Sequence, residues 1–288
     1  MSYRYFLLLL IILATSCKSD TEVVKPFSEN QLQKMDMTAV SMMDALASNR
    51  PEVVIRNFDH RSFSKRLGKK FFSFKKEEQG FLMGILMNSL AEQIFTLSQT
   101  ITKAGLKLQM IDARHKGKVS QVTIKVMDAE EESTITYFVL YLKENVNGDF
   151  VLVNFYDVFS GKSFSQLAQD LLAIDFENEN IARLFEKQRF RILEARHLES
   201  FGNYQEAYMQ MDSVTTEFRN FGVYPVYRAL LSSHLNDSLY LKELENLKQI
   251  TPNHQSVLFY DCISTYVKTD EKDQSECLEE FLIELLDN

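Results

Sequence analysis

The chain has 288 residues, 45% hydrophobic and 25% charged, which is enough to bury a sizeable core and roughly two domains' worth at ~150 residues each. Nine Gly and four Pro exclude collagen-like and long flexible-linker architectures, and three Cys are too few for a disulfide scaffold or a zinc ribbon. A formal charge of −8 excludes a general nucleic-acid binder, whose affinity depends on a cationic face.

The first sixteen residues read as a targeting segment. Arg4 is their only charge, Phe6 to Leu13 is an unbroken apolar run, and the small residues Ala14, Thr15 and Ser16 lead to Cys17. The run is too short to span a bilayer and has the layout of a signal peptide with its processing site. Cys at the cleavage point resembles the lipobox of bacterial lipoproteins, of the looser kind common in the Bacteroidota. Ala14 stands three before the Cys, where the family prefers Leu, and Leu13 stands four before. The resemblance implies that Cys17 becomes the acylated N-terminus, that Lys18 to Phe27 form a tether, and that the protein resides in the cell envelope, with the outer membrane favoured over the inner. Two or three acyl chains at ~0.8 kcal/mol per buried methylene make a stable anchor. The alternative is a plain secretory signal in which Cys17 is incidental.

Ser28 and Gln31 form a capping box, with Phe27 and Leu32 placed for a hydrophobic staple. A helix follows along Met35, Val40, Met43 and Leu46 to about Ser48. A second helix starts at Pro51, and a long one over Glu77–Thr102 places Phe81, Ile85, Met87, Leu90, Ile94 and Leu97 inside. Between them, Arg61 to Lys76 interleaves lysines with Phe63, Phe71, Phe72 and Phe74. It reads as a connecting segment with its phenylalanines in the core; the competing reading is a basic–aromatic patch on anionic headgroups.

From Leu106 the period changes to two. Leu106, Leu108 and Met110 alternate with polar residues, as do Val122, Ile124 and Val126; Ile135–Leu142 and Phe150–Val158 follow. Turns are expected at His115 to Lys118 and at Asn147-Gly148, where Gly favours the positive φ of a tight hairpin. Helices first and four antiparallel strands after predict an α+β domain over residues 28–174, a curled sheet packed against its helices. That order, with Phe155 to Ser165 as last strand and exit, resembles the NTF2-like and cystatin-like folds.

Residues 17–175 carry 20 basic and 20 acidic side chains, whereas residues 176–288 carry 11 and 20. This step places a boundary near Ile174–Asn180. Beyond it the chain reads as helical throughout. Ile181–Ser200 forms one helix, and Gly202-Asn203-Tyr204-Gln205-Glu206-Ala207 resembles the turn and second helix of a tetratricopeptide repeat, with Ala195 at the matching small position. Tyr224–Ile250 and the pair Ser256–Val267 with Gln274–Leu286 complete about three helical hairpins, a repeat domain over residues 175–288. The tyrosines 204, 208, 224, 227, 240, 260 and 266 recur through them, most expected between helices and a few lining a groove.

Candidate chemistry is sparse. Cys262 and Cys277 lie on the two helices of the last hairpin, roughly equidistant from its turn: a cross-helix disulfide in an oxidising compartment or two separate buried thiols. His60, His115, His197, His234 and His254 show no metal-ligand spacing, so neither metal nor cofactor is expected. Asp112, His115, Tyr156 and Asp157 are the candidates for a cavity in the curled sheet, subject to strand register, because a one-residue slip reverses every face. No Ser–His–Asp motif, phosphate loop or nucleotide fingerprint is present. The expectation is therefore a lipid-anchored, non-catalytic adaptor that binds a protein partner through residues 180–287, its acidic excess favouring a basic partner. The alternative is a small-ligand binder or enzyme using the sheet's cavity.

Overall fold

The computed structural model describes residues 27–116, 119–130, 133–174, 178–215, 218, 222, 224–269 and 271–287. Helix α1 (Glu29–Ala47) starts at the capping box read from the sequence. Gln31 N–H donates to Ser28 Oγ, and the Ser28 N–H donates back to Gln31 Oε1 at 2.9 Å. Short helices α2 (Pro51–Arg56), α3 (His60–Ser64) and α4 (Gly68–Ser73) lead to the 28-residue α5 (Lys76–Lys103). Gly105, at φ 64°, ends α5 and lets Leu106 N–H reach the carbonyl of Ile101.

Five strands then form one antiparallel meander in sequence order: β1 (Lys107–Lys116), β2 (Val119–Met127), β3 (Thr134–Glu144), β4 (Phe150–Asp157) and the two-residue β5 (Lys162–Ser163). The protein is thus an α+β region followed by helices: α6 (Phe164–Ala173), α7 (Glu179–Ser200), α8 (Tyr204–Asp212), α9 (Tyr224–Ser233), α10 (Asp237–Ile250), α11 (His254–Lys268) and α12 (Glu271–Asp287).

Both faces of the sheet are covered, by different parts of the chain. One face presents Val122, Ile124, Leu140, Leu142 and Leu152 to α1, α5 and α6, in a cluster that also holds Met35, Leu90, Ile94 and Phe164. Burying each such side chain contributes about 1.5–3 kcal/mol before the entropy of ordering it. The other face presents Tyr137, Val139 and Tyr156 to Ala229, Leu244, Leu247, Phe259 and Phe281 of the C-terminal helices. A third cluster, around Ala195, Ala207, Met211 and Leu231, lies within the helical array. Ala195 and Ala207 are fully buried where α7 and α8 meet, and small side chains allow that close approach.

Several expectations are corrected. His115 lies within β1, opposite Ser120, rather than in a turn; Gly117 and Lys118 lie outside the described residues. Gly148 takes its positive φ of 78°, but in a five-residue loop stapled by Asn145, whose side chain accepts from the N–H groups of Asn147 and Asp149. Phe27 stacks on His115 instead of stapling Leu32, which is exposed. Val40 is exposed. So are Phe81, at 70%, and Ile85. The reason lies in α5's geometry: its buried stripe is Leu86, Leu90, Ile94, Ser98 and Ile101, and at 100° per residue positions 81 and 85 fall on the opposite side. Although α5 is long and apolar enough by composition to cross a membrane, that stripe packs into the sheet's core. In the basic segment Phe63 and Phe71 are buried and Phe74 packs against the core, while Phe72 stays in solvent.

Candidate functional site

Strand register disperses the four residues expected to meet in a sheet cavity. A bulge between Met110 and Asp112 reverses the alternation of β1, so that Ala113 and His115 face the first cluster while Asp112 joins the opposite face. There Asp112 aligns with Thr123, Val139 and Tyr156 across four strands. Three interstrand spacings separate Asp112 from Tyr156, roughly 14 Å. Asp112 instead pairs with Arg114, Oδ2 to Nε 2.6 Å. His115 stacks on Phe27 with ring centroids 3.6 Å apart, and neither of its ring nitrogens has a hydrogen-bond partner. Between the helices and the middle of the sheet lies a space of about 30 Å³, lined by Met42, Leu46, Ile94, Phe138, Leu140 and Phe155.

Tyr156 and Asp157 belong to the junction with the C-terminal helices. The Tyr156 hydroxyl pairs with Ser256 at the start of α11, and burial raises its pKa. Ser256 Oγ also lies 2.6 Å from the Val158 carbonyl, and Tyr260 Oη donates to the Phe159 carbonyl at 2.8 Å. Asp157 is the hinge of this turn. Its Oδ1 accepts from Phe159 N–H at 3.0 Å and from Thr136 Oγ1 at 3.3 Å, the geometry of an Asx-turn. Burial pushes Asp157 up to about 6 against these hydrogen bonds, which lower it.

Two clefts flank the junction. A polar one of about 360 Å³ lies between Arg114, Gln121, Tyr141 and Tyr156 of the sheet and Asn253, His254 and Glu284 of the helices. A mostly apolar one of about 410 Å³ runs from Thr136 and Asp157 to Phe259, Tyr240 and Tyr266, with Leu230 and Ile135 at its rim. Of the seven tyrosines singled out, 208, 224 and 260 are buried, 204, 227 and 240 pack partly against the apolar clusters, and Tyr266 is exposed in this cleft.

Cys262 and Cys277 are joined in a disulfide between α11 and α12, with Cα atoms 5.4 Å apart. Cys17 and the sixteen residues before it lie outside the described residues. Among the described residues no group of three His, Cys, Asp or Glu side chains could hold a metal ion.

Sequence reasoning missed a buried polar network in the array. Arg228 Nη2 lies 2.7 Å from Glu243 Oε1 and 2.8 Å from Tyr208 Oη, Tyr208 donates to the same carboxylate at 2.7 Å, and Asp212 meets Nη1 at 3.2 Å. Burial, and then Glu243, push Tyr208 up to about 12. The signal was present: Arg228 and Glu243 interrupt the apolar faces of α9 and α10 at nearly equal distances from the turn between them. Comparison with protein-family models, curated proteins and solved structures finds no match.

Proposed function

We propose that this chain is an exported, lipid-anchored bacterial protein with a non-catalytic role, whose acidic helical array holds a protein partner near the membrane. Cys17 is the acylated residue in this reading. The sheet with its helices is NTF2-like, and the three hairpins are degenerate tetratricopeptide-like repeats.

One observation carries the adaptor role. On α7 and at its C-cap the apolar side chains Phe190, Leu193 and Phe201 recur at i, i+3 and i+11, with exposed His197 between them, on the side away from buried Gln188 and Ala195. Phe190 and Phe201 are 68% and 70% exposed. An exposed apolar stripe that no described residue covers marks a candidate docking surface on a helix array. The dispersal of Asp112, His115 and Tyr156 by strand register supports a binding role over catalysis in the sheet. The disulfide between Cys262 and Cys277 supports an oxidising compartment.

The test keeps the chain whole, because truncation after Ile174 would strip Tyr137, Val139 and Tyr156 of their apolar cover. Cross-linking and co-purification from native membranes should recover a specific protein with the full chain and lose it with Phe190→Glu and Phe201→Glu. Recovery unaffected by both substitutions, or cross-links only between copies of this chain, would reject the adaptor reading. Cys17→Ser should move the protein from the membrane to the soluble fraction, and mass spectrometry of the mature N-terminus checks the acyl groups directly.

A further inference from the structure

The cleft between the sheet's end and the C-terminal helices contains a carboxylate that, among the described residues, no cation neutralises. Asp157 stands at its sheet side, and Phe159, Phe259, Tyr240 and Tyr266 supply aromatic surface around it. Among the described residues its carboxylate meets hydroxyl and backbone donors but no Lys, Arg or His. Three carboxylates partly or wholly withdrawn from water are each held by a cation: Asp112 by Arg114, Asp170 by Lys162 and Glu243 by Arg228. Asp36 also has a buried oxygen with no such partner, but Asp157 is the one of the two that lines the open volume of this cleft.

We propose that this cleft binds an organic ammonium ion with an aryl or alkyl body. The volume of about 410 Å³ suits a small molecule. Aromatic faces carry negative π-density and attract a cation laid against them. An ammonium group beside Asp157 supplies the missing countercharge, while the apolar body displaces water from Leu230, Ile135 and Tyr266 at the rim. An anionic ligand would face the carboxylate's repulsion. A neutral apolar ligand would desolvate that carboxylate without compensating it. The raised pKa of Asp157 agrees with a carboxylate whose burial no cation offsets. This site is separate from the α7 stripe, and neither proposal depends on the other.

The test uses two probes of one shape, 2-phenylethylammonium and neutral 2-phenylethanol, titrated at pH 7.5 into the mature chain with Cys17→Ser. Residues 27–287 hold all three apolar clusters, so loss of the signal and the acyl group leaves them whole. Calorimetry should show saturable binding of the ammonium at least about tenfold tighter than the alcohol. Amide shifts should centre on Asp157, Phe159 and Tyr266. Asp157→Asn keeps the Asx-turn acceptor and should abolish the preference; Tyr266→Ala should weaken both probes and retain it. No saturable ammonium binding, equal binding of the alcohol, or a preference that survives Asp157→Asn would each overturn the proposal.

Discussion

The Tyr260 hydroxyl donates to the backbone carbonyl of Phe159 at 2.8 Å, joining positions 101 apart in the chain. Around that bond the β4–β5 turn sits against the end of α10 and the first turns of α11. Gly161 is the tightest point of the contact: at φ 68°, a Cβ placed on it would lie 2.5 Å from Thr251 Cγ2 and 3.3 Å from Tyr260 Oη. Through this turn the sheet and the helical array share one apolar cluster.

Gly161→Ala should therefore cost about 2–4 kcal/mol, of which ~1 comes from the left-handed backbone and the rest from overpacking against a β-branched neighbour. Gly202→Ala is the control. Gly202 has a similar φ of 76° but open space around it, so its loss should stay near 1 kcal/mol. Urea denaturation of both variants measures the difference, and equal losses would mean that the close approach contributes nothing.

Asp157 makes stability depend on pH in a definite direction. Its carboxyl is pushed up to about 6 in the folded protein from 3.8. A raised folded pKa contributes stability that is fully present below the unfolded value and lost as pH rises through the folded one. Stability from this group should thus fall between about pH 4 and pH 7, by about 1–2 kcal/mol after allowance for its partial exposure. Asp157→Asn should flatten that part of the profile and be relatively more stable at pH 7 than at pH 4. A wild-type profile that rises over this window, with the variant parallel to it, would refute the assignment.

The disulfide closes a loop of 15 positions at the end of the array. Constraint of the unfolded chain by a loop of that length is worth about 3 kcal/mol. Reduction, or the pair Cys262→Ala with Cys277→Ala, should lower stability by about 2–3 kcal/mol. Hydrogen exchange should quicken first in α11 and α12. Because Phe259 and Phe281 of those helices cover Tyr137 of β3, protection in β3 should fall as well.

The Arg228–Glu243 pair offers a cycle. Removing one partner by Glu243→Leu leaves a cation only 9% exposed whose charge, among the described residues, Asp212 alone then meets, at a cost of about 3–5 kcal/mol. Replacing both with Leu should cost clearly less than the two single losses summed. Strict additivity in thermal denaturation would show that the two charges do not act as a unit.

Local chemistry alone determined much of this protein. Ser28 with Gln31 specified where α1 begins, alternation over β1 to β4 specified the antiparallel strands, and Gly148 and Gly202 marked positions of positive φ. The helical run beyond residue 180 and the placing of Cys262 and Cys277 on facing helices were legible for the same reason: each depends on neighbours within a few turns. Face assignment was not. Whether one residue of β1 or two oppose a residue of β2 is decided by the partner strand, and that single bulge at Ile111 turned Asp112 away from the face of Leu108 and Met110 and put His115 on it. Likewise, the apolar periodicity of α5 could not say which apolar side chains the sheet would cover, so Phe81 and Ile85 remain in water. The amphipathic strands implied one buried face. The second was settled by helices about 70 to 150 positions further on, whose arrival buried Tyr156 and left Asp157 in an apolar cleft with no countercharge among the described residues. Burial and pairing are properties of what packs against a residue, and only the tertiary structure brings those distant surfaces together.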